Sequence, residues 1–434
     1  MIAGETNRAI EATFRIERAR LVAGLARIVR DVGLAEELAQ DALVAALAEW
    51  PRTGVPARPG AWLTTVARRR AVDAIRRNGM RTRKHEEAAR ELDGAVVDGT
   101  QAIEAATDDG LGDELLGLLF AACHPMLSRE ARVALTLRVV GGLTTQEIAR
   151  AFFVAETTIA QRIVRAKKAI AKAGLRFEVP QGPEQGARLQ SVLEVVYLVF
   201  NEGYAATSGD NLVRPAVAQE ALRLGRILAG LLPENAEVLG LLALMEVQAS
   251  RLAARAGPDG GFLPLTEQDR SRWDRLLIRR GLAALARAEA LGGAGPYVLQ
   301  AALAACHARA RRAVDTDWPR IAALYDQLRI AMPSPVVDLN RAIAHGMASG
   351  PAPALRVVDE IAEEGVLRDY PPLHAARGDL LFRMGRRTEA RSAFATAAEL
   401  TRNMRERTFL LARADECIRD ERASGIGESI IGAE

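Results

Sequence analysis

Six polar side chains in one short stretch, Thr157, Thr158, Gln161, Arg162, Arg165 and Lys168, are spaced to meet a nucleic acid. On a helix they share an outward face, while Ile159, Ile163, Ala166 and Ile170 recur along the opposite one. An apolar inner stripe and a basic outer stripe suit a helix lying in a major groove. Its cations would hold phosphates, which position a protein without reading sequence; Gln161 and Arg162 carry the groups that read base edges. From Glu156 to Arg176, six Lys or Arg stand against one acid, a net charge of +5, as a polyanionic partner favours. The plainer reading is a basic amphipathic helix without a nucleic-acid role.

A recognition helix needs a second helix to set its angle, and the residues just before it supply one. Thr144 or Thr145 can cap a helix that carries Glu147 in its first turn, as a capping box requires. Ile148, Ala149 and Phe152 form its apolar face, and Ala149 is small enough to admit a close neighbour. Residues 142–173 therefore read as a helix-turn-helix. Two departures stand in the turn: Phe153 occupies a place that often takes Gly, and Ala155 stands where a capping side chain is expected.

A second basic segment follows Pro59, where residues 66–84 hold eight Lys or Arg against the single acid Asp73. Trp62, Val66, Val72 and Ile75 are the expected apolar side of this helix, and the rest of its surface is cationic. Trp62 has two readings, a core residue or a ring on which an unpaired base stacks. Upstream, residues 34–50 place Glu36, Glu37 and Asp41 near the start of a helix whose apolar set is Leu38, Ala42, Leu43, Ala46 and Leu47. An acidic, partly apolar helix beside a basic one suggests a protein partner. Residues 86–114 then carry ten acids against Arg90 alone. Such a segment is a solvated flexible linker, or one that covers the basic helices when no partner is bound.

In this order the elements resemble a bacterial RNA polymerase sigma factor of the extracytoplasmic-function type. LAEELAQDALVAAL is similar to the region 2 helix that docks on the polymerase, which implies core contacts by Glu37, Gln40 and Asp41. PGAWLTTVARRRAVDAIRR resembles the segment that reads the minus-10 element and captures a flipped base, implying roles for Trp62, Arg68, Arg69, Arg76 and Arg77; Arg69 stands where many relatives have Asn. TTQEIARAFFVAETTIAQRIVRAKKAI resembles the region 4 helix-turn-helix, which would turn Thr157, Thr158, Gln161, Arg162, Arg165 and Lys168 toward the minus-35 element.

These two parts account for about residues 8–176 of 434. The chain is 49% hydrophobic, 26% charged and only 4% aromatic, and its wealth of Ala, Leu and Arg favours helix over strand. Beyond Pro180 come helical segments of ten to fifteen residues. Pro371 to Met404 fits the tetratricopeptide pattern through Gly378, Leu381, Ala390, Phe394 and Ala397, with a weaker copy through Ala342, Ala354, Val358 and Ile361. Stacked helix pairs of this kind form a concave surface suited to a protein or peptide ligand. Several runs here, among them VVYLVFNEGYAATSG, QDRSRWD, GPYVLQAALAA and DTDWPRIAALYDQL, resemble the sigma factors that bear a long C-terminal tetratricopeptide-like extension. That resemblance implies an extension integral to promoter activity, and no need of a membrane anti-sigma partner.

Two clusters invite a chemical reading. Cys123 and His124 are adjacent, so on a helix they point about 100° apart, and no second ligand pair stands at zinc spacing. Asn201, Glu202 and Tyr204 end an apolar helix, where docking of the extension against region 4 is favoured over chemistry. His307, His345 and His374 are isolated, and neither a phosphate loop nor a nucleophile-base series is visible. No metal, cofactor or enzymatic activity is expected. Cys123, Cys306 and Cys417 are too far apart to suggest a disulfide framework. No run reaches the ~18 apolar residues of a membrane span, and the start lacks a signal pattern, so the expected location is cytoplasmic.

The expectation is an all-α chain: region 2 at 8–85, an acidic linker at 86–111, region 4 at 112–176 and a helical-repeat extension at 186–424. Its partners would be core RNA polymerase and promoter DNA, with a protein or peptide in the repeat groove and no membrane. The alternative is a helix-turn-helix regulator with a repeat sensor that does not dock on polymerase.

Overall fold

The computed structural model describes residues 2–89, 111–152, 154–204, 214–257 and 261–430. Most of the expected linker, and Phe153 in the turn, lie outside them. Among the described residues the chain is helical throughout, and its β pairing is a single bridge between Ala256 and Phe262. Contacts divide it into two units, Met1–Leu198 and Val199–Glu434.

The first unit holds α1 (Ile2–Val29), α2 (Val32–Thr53), α3 (Pro59–Ala89), α4 (Leu111–Ala122), α5 (Arg129–Val139), α6 (Thr145–Phe152), α7 (Glu156–Lys172) and most of α8 (Pro183–Tyr204). Between α1 and α2 the backbone turns through Arg30 at φ 57, and Asp31 then caps α2 by accepting from Leu34 N at 2.9 Å. Helix α1 packs on α2, α3 and α4, with Val22, Leu25 and Ala26 of α1 and Leu38, Ala42, Ala46 and Trp50 of α2 all buried. Helix α3 departs from its expected apolar side. It buries Leu63, Ala67, Ala71 and Ala74, leaving Trp62, Val66 and Val72 half-buried and Ile75 36% exposed. Alanines at the centre of the contact let α3 lie close to its neighbours, and the bulkier residues flank the seam. Leu47, expected inside α2, is likewise exposed.

The expected start of the extension, residue 186, falls inside α8, and the amino-terminal half of that helix is built into the first unit. Arg188 Nη2 donates to Phe120 O at 3.0 Å, Ser191 Oγ to Cys123 O at 2.5 Å, and Arg132 Nη1 to Ser191 Oγ at 2.5 Å and Glu194 Oε2 at 3.1 Å. Leu189, Val192, Leu193 and Val196 are buried. Just before α8, the backbone at Phe177 crosses α4 at Gly117 so closely that a Cβ there would stand 2.5 Å from Phe177 O.

The second unit continues with α9 (Pro215–Leu231), α10 (Ala236–Ala249), α11 (Arg275–Ala290), α12 (Pro296–Arg309), α13 (Trp318–Ala331), α14 (Pro335–Ser349), α15 (Pro351–Glu363), α16 (Pro371–Arg383), α17 (Arg387–Leu400) and α18 (Met404–Ile430). From α13 to α18 each helix packs mainly on its neighbours in sequence, as in a helical-repeat solenoid, while α10 is flanked by both α11 and α12. Proline in the first turn fixes where α9, α12, α13, α14, α15 and α16 begin. The tetratricopeptide positions fall where the pattern requires: α16 and α17 meet at Gly378, where an added Cβ would lie 2.8 Å from the Phe394 ring, and Leu381, Ala390, Phe394 and Ala397 are buried. The weaker copy behaves alike in α14 and α15, burying Ala342, Ala354, Val358 and Ile361. Gly378→Val is therefore expected to cost about 2 kcal/mol through overpacking, read as a lower denaturant midpoint; an unchanged midpoint would mean that the pair has room to spare.

Cys123, Cys306 and Cys417 are free and buried. No described helix is long and apolar enough to cross a membrane.

Candidate nucleic-acid interface

Helices α6 and α7 hold the first basic face in place. Thr144 and Glu147 form a reciprocal capping box: Glu147 N donates to Thr144 Oγ1 at 3.1 Å, and Thr144 N donates to Glu147 Oε2 at 2.8 Å. The Thr144 backbone N–H first, and then the Thr144 hydroxyl, which donates to the same Oε2 at 2.9 Å, hold the Glu147 carboxyl below its usual range. Ile148 and Ala149 of α6 are buried, with Phe152 half-buried, and α7 buries Ile159, Ile163, Ala166 and Ile170. Thr157, Gln161, Arg165 and Lys168 are exposed, and Thr158 and Arg162 half-buried, so all six polar residues share the outer side of α7. Ala155 begins α7 without a side-chain cap.

The second basic face lies on α3. Arg69, Arg76 and Arg77 are exposed and Arg68 half-buried; Arg77 Nε donates back to Asp73 O at 3.3 Å. The side chains of Arg81, Arg83 and Lys84 lie outside the described residues. Trp62 packs edge-on against the buried Trp50, their ring centroids 5.4 Å apart. One edge of Trp62 is thus anchored while the residue remains half-exposed, which accommodates both of its readings.

On α2, Glu37, Gln40 and Asp41 are exposed on one side, and Val44, at 61% exposure, and Leu47, at 42%, continue that face one and two turns on. Sequence reasoning missed Val44; its signal was the helical spacing from Glu37 and Gln40. Asp41 also reaches Arg70 of α3 at 3.4 Å.

Glu36, next to that face, points inward and is 5% exposed. Its Oε1 accepts from Arg18 Nη2 at 2.6 Å and lies 3.3 Å from Arg138 Nε, and Lys167 meets Oε2 as an ion pair. Arg18 Nη1 also donates to Arg138 O at 2.8 Å. Burial lowers the Arg18 guanidinium below its usual range, as does Arg138, against the pull of Glu36. One carboxylate therefore joins α1 and α2 to α5 and α7. Glu114 makes a second link, its carboxylate lying over Gly24 and 3.8 Å from Arg27 of α1.

Both faces lie within segments that match known families. Residues 14–81 match the family Sigma-70 region 2, and residues 118–170 match Sigma-70, region 4. The chain belongs to the sigma-70 family. Residues 188–289 of this sigma factor match a family of unknown function, DUF6596. Over 399 residues it is 41% identical to an uncharacterized protein of Rhizobium meliloti (strain 1021), covering 92% of this chain and 93% of that one. The crystal structure of yeast Tom70, 12% identical, aligns over 99% of this chain and 89% of its own with a TM-score of 0.30, too slight a likeness to bear on function. Regions 2 and 4 followed by a helical extension make this a sigma factor of the extracytoplasmic-function type. Such a factor binds core RNA polymerase and promoter DNA to direct transcription initiation, and neither sigma family is enzymatic.

The remaining sequence candidates of the sigma factor have structural surroundings. Cys123 is buried against Thr136, Sγ to Oγ1 3.2 Å, and burial pushes its thiol up to about 12. His124 accepts from Met126 N through Nδ1 at 3.1 Å. Of the three residues expected to dock the extension on region 4, Glu202 pairs with Arg214, and Tyr204 stacks on Phe200 and lies under Arg251 and Arg255. Those partners all belong to the second unit, where Asn201 is half-buried.

Proposed function

We propose that α2 offers Glu37, Gln40 and Asp41, with Val44 and Leu47, to core polymerase. Helix α3 brings Trp62, Arg68, Arg69, Arg76 and Arg77 to the minus-10 element, and the outer side of α7 reads minus-35. The observation that carries this reading is the sorting of both basic helices: every expected contact residue is exposed or half-buried, while α7 buries Ile159, Ile163, Ala166 and Ile170 and α3 buries Leu63, Ala67, Ala71 and Ala74. Melting would follow from capture of an extruded base together with phosphate contacts. The extension supports or regulates this work, and the protein acts in the cytoplasm.

The Glu36 cluster gives the reading a conformational step. The two promoter elements lie about 25 base pairs apart, roughly 85 Å at the rise of duplex DNA. Regions 2 and 4 packed together through α1 on α4 and through the Glu36 and Glu114 carboxylates do not span that distance, so these contacts, Glu36 with Arg138 and Lys167 among them, must release before both elements are read.

In vitro transcription with purified core polymerase, on a promoter selected by the protein, tests the proposal by comparing the full chain with its 1–182 fragment. Transcripts that depend on the full chain are expected, since the fragment lacks α8 and its hydrogen bonds to α4 and α5. Bound DNA without transcripts from either would favour the regulator. A fully active fragment would refute the need for the extension.

Within α7 the contacts should separate by kind. Arg165→Ala and Lys168→Ala are each expected to weaken binding evenly across promoters and to reduce the salt slope by about 1. Gln161→Ala should instead relax discrimination at one base pair, by about 1–3 kcal/mol. Titrations against a set of single-base promoter variants at several salt concentrations check both; equal effects of all three substitutions would deny α7 a reading role.

A further inference from the structure

Among the described residues of the second unit, positive charge is buried without a paired acid. Arg251, just after α10, and Arg270, before α11, are 7% and 6% exposed. Trp273 serves both, its ring centroid 5.8 Å from the Arg251 guanidinium and 5.1 Å from that of Arg270. Arg251 also lies 5.7 Å, and Arg255 4.2 Å, from the centre of the Tyr204 ring. A π face attracts a cation but carries no net charge to neutralise it. Among the described residues, none of these three arginines is ion-paired with a carboxylate. Glu202, on the helix that carries Tyr204, is held by Arg214. Asp315 acts on Arg270 only at a distance and is bonded at both oxygens by Arg312.

The hydrogen bonds point the same way. Arg270 donates through Nη1 to His307 O and Ala310 O, both at 2.8 Å, and through Nη2 to Thr316 Oγ1 at 3.0 Å, so that guanidinium is fixed by the fold. Buried N–H donors remain without an acceptor at Nε of Arg251, Arg255 and Arg270 and at Nε1 of Trp273. Burying cations and unsatisfied donors together is among the costlier arrangements open to a protein. Nearby titratable groups register the field. Burial lowers the His307 imidazole to about 4, with the Arg251 and Arg270 charges pushing the same way. Burial raises the Tyr204 phenol, but Arg251 and Arg255 outweigh it and bring it below its usual range.

We infer that this cluster is a binding site for a small oxyanion-bearing molecule, with Arg251 and Arg255 as its primary receivers and Trp273 Nε1 as a further donor. Carboxylate and phosphoryl groups each present a pair of accepting oxygens that the planar guanidinium fork can meet with two parallel N–H bonds. Arg270 supplies standing positive potential. The site does not depend on the promoter reading, so either stands if the other fails.

Titration calorimetry on the full chain, with inorganic phosphate, pyrophosphate and citrate at constant ionic strength and chloride as reference, tests the inference. At least one oxyanion is expected to bind at one site per chain. Arg251→Met should weaken it tenfold or more, while Arg391→Met, at an exposed position on α17, should leave it unchanged. Should Arg251→Met fail to fold, Arg255→Met reads the same loss. Phosphate or pyrophosphate binding alone would make the ligand a phosphorylated one, and citrate alone a polycarboxylate. No oxyanion binding beyond chloride, or equal binding to the folded arginine variants, would overturn the inference.

Discussion

Glu37→Lys combined with Gln40→Ala is expected to weaken association with core RNA polymerase by about 30-fold or more, roughly 2 kcal/mol, and to abolish transcription at limiting polymerase. Both side chains are exposed on the face of α2 that also carries Val44 and Leu47. Neither belongs to the buried set of Leu38, Ala42, Ala46 and Trp50, so the helix should keep its fold. An acidic, partly apolar patch gains affinity from burying its apolar part and orientation from its charge. Asp41 is left in place because it also reaches Arg70, and changing it would confound docking with the set of α3. The measurement is affinity for core polymerase, with promoter-DNA binding by the chain alone as control. Undiminished polymerase affinity would move the docking surface elsewhere; loss of both would mean that the variant disturbs the fold.

The second large effect concerns Glu36. Glu36→Gln keeps the volume of the side chain and removes the charge that Arg18, Arg138 and Lys167 share. Three cations are then left facing a neutral amide, with Arg18 nearly enclosed at 12% side-chain exposure. Breaking a buried ion pair from one side costs about 3–5 kcal/mol, so the first unit should lose stability of that order. Adding Lys167→Met should return part of it, because one of the repelling charges is gone, and the double-mutant cycle gives the coupling. Chemical denaturation of the full chain, followed by a reporter in α7, measures this. A change below about 0.5 kcal/mol would show that the cluster is solvated and does not hold regions 2 and 4 together. If it does hold them, the same variant should separate the two regions more readily, seen as a longer distance between labels on α2 and α7.

What could be read from the sequence followed the range of the interaction. The stripe of α7 was legible because Ile159, Ile163, Ala166 and Ile170 repeat at helical spacing and their partners lie within one small bundle. The Thr144–Glu147 box and the Gly378–Phe394 contact were legible for the same reason, each being set within a single motif. Helix α3 was misread because alanine carries little apolar signal: Ala67, Ala71 and Ala74 take the centre of the contact and displace the more conspicuous Val72 and Ile75. Glu36 looked like one more acid at the start of a docking helix, since Arg138 and Lys167 come to it from distant parts of the chain. The domain border was hidden in α8, whose periodicity runs through Leu198 without Gly or Pro to mark a break. The arginine cluster escaped for a similar reason, as Tyr204, Arg251, Arg270 and His307 meet only through the fold.

The buried cysteines equip the chain with its own clocks. A thiol reagent reaches a shielded sulfur only when the surrounding structure opens, so the rate of alkylation counts openings. Cys123 sits beneath α8 at Thr136 and times the first unit, whereas Cys306 in α12 and Cys417 in α18 time two places in the second. Mass spectrometry after pulsed alkylation then resolves which part of the molecule loosens when polymerase, promoter or an oxyanion is added, with no residue substituted to carry a probe.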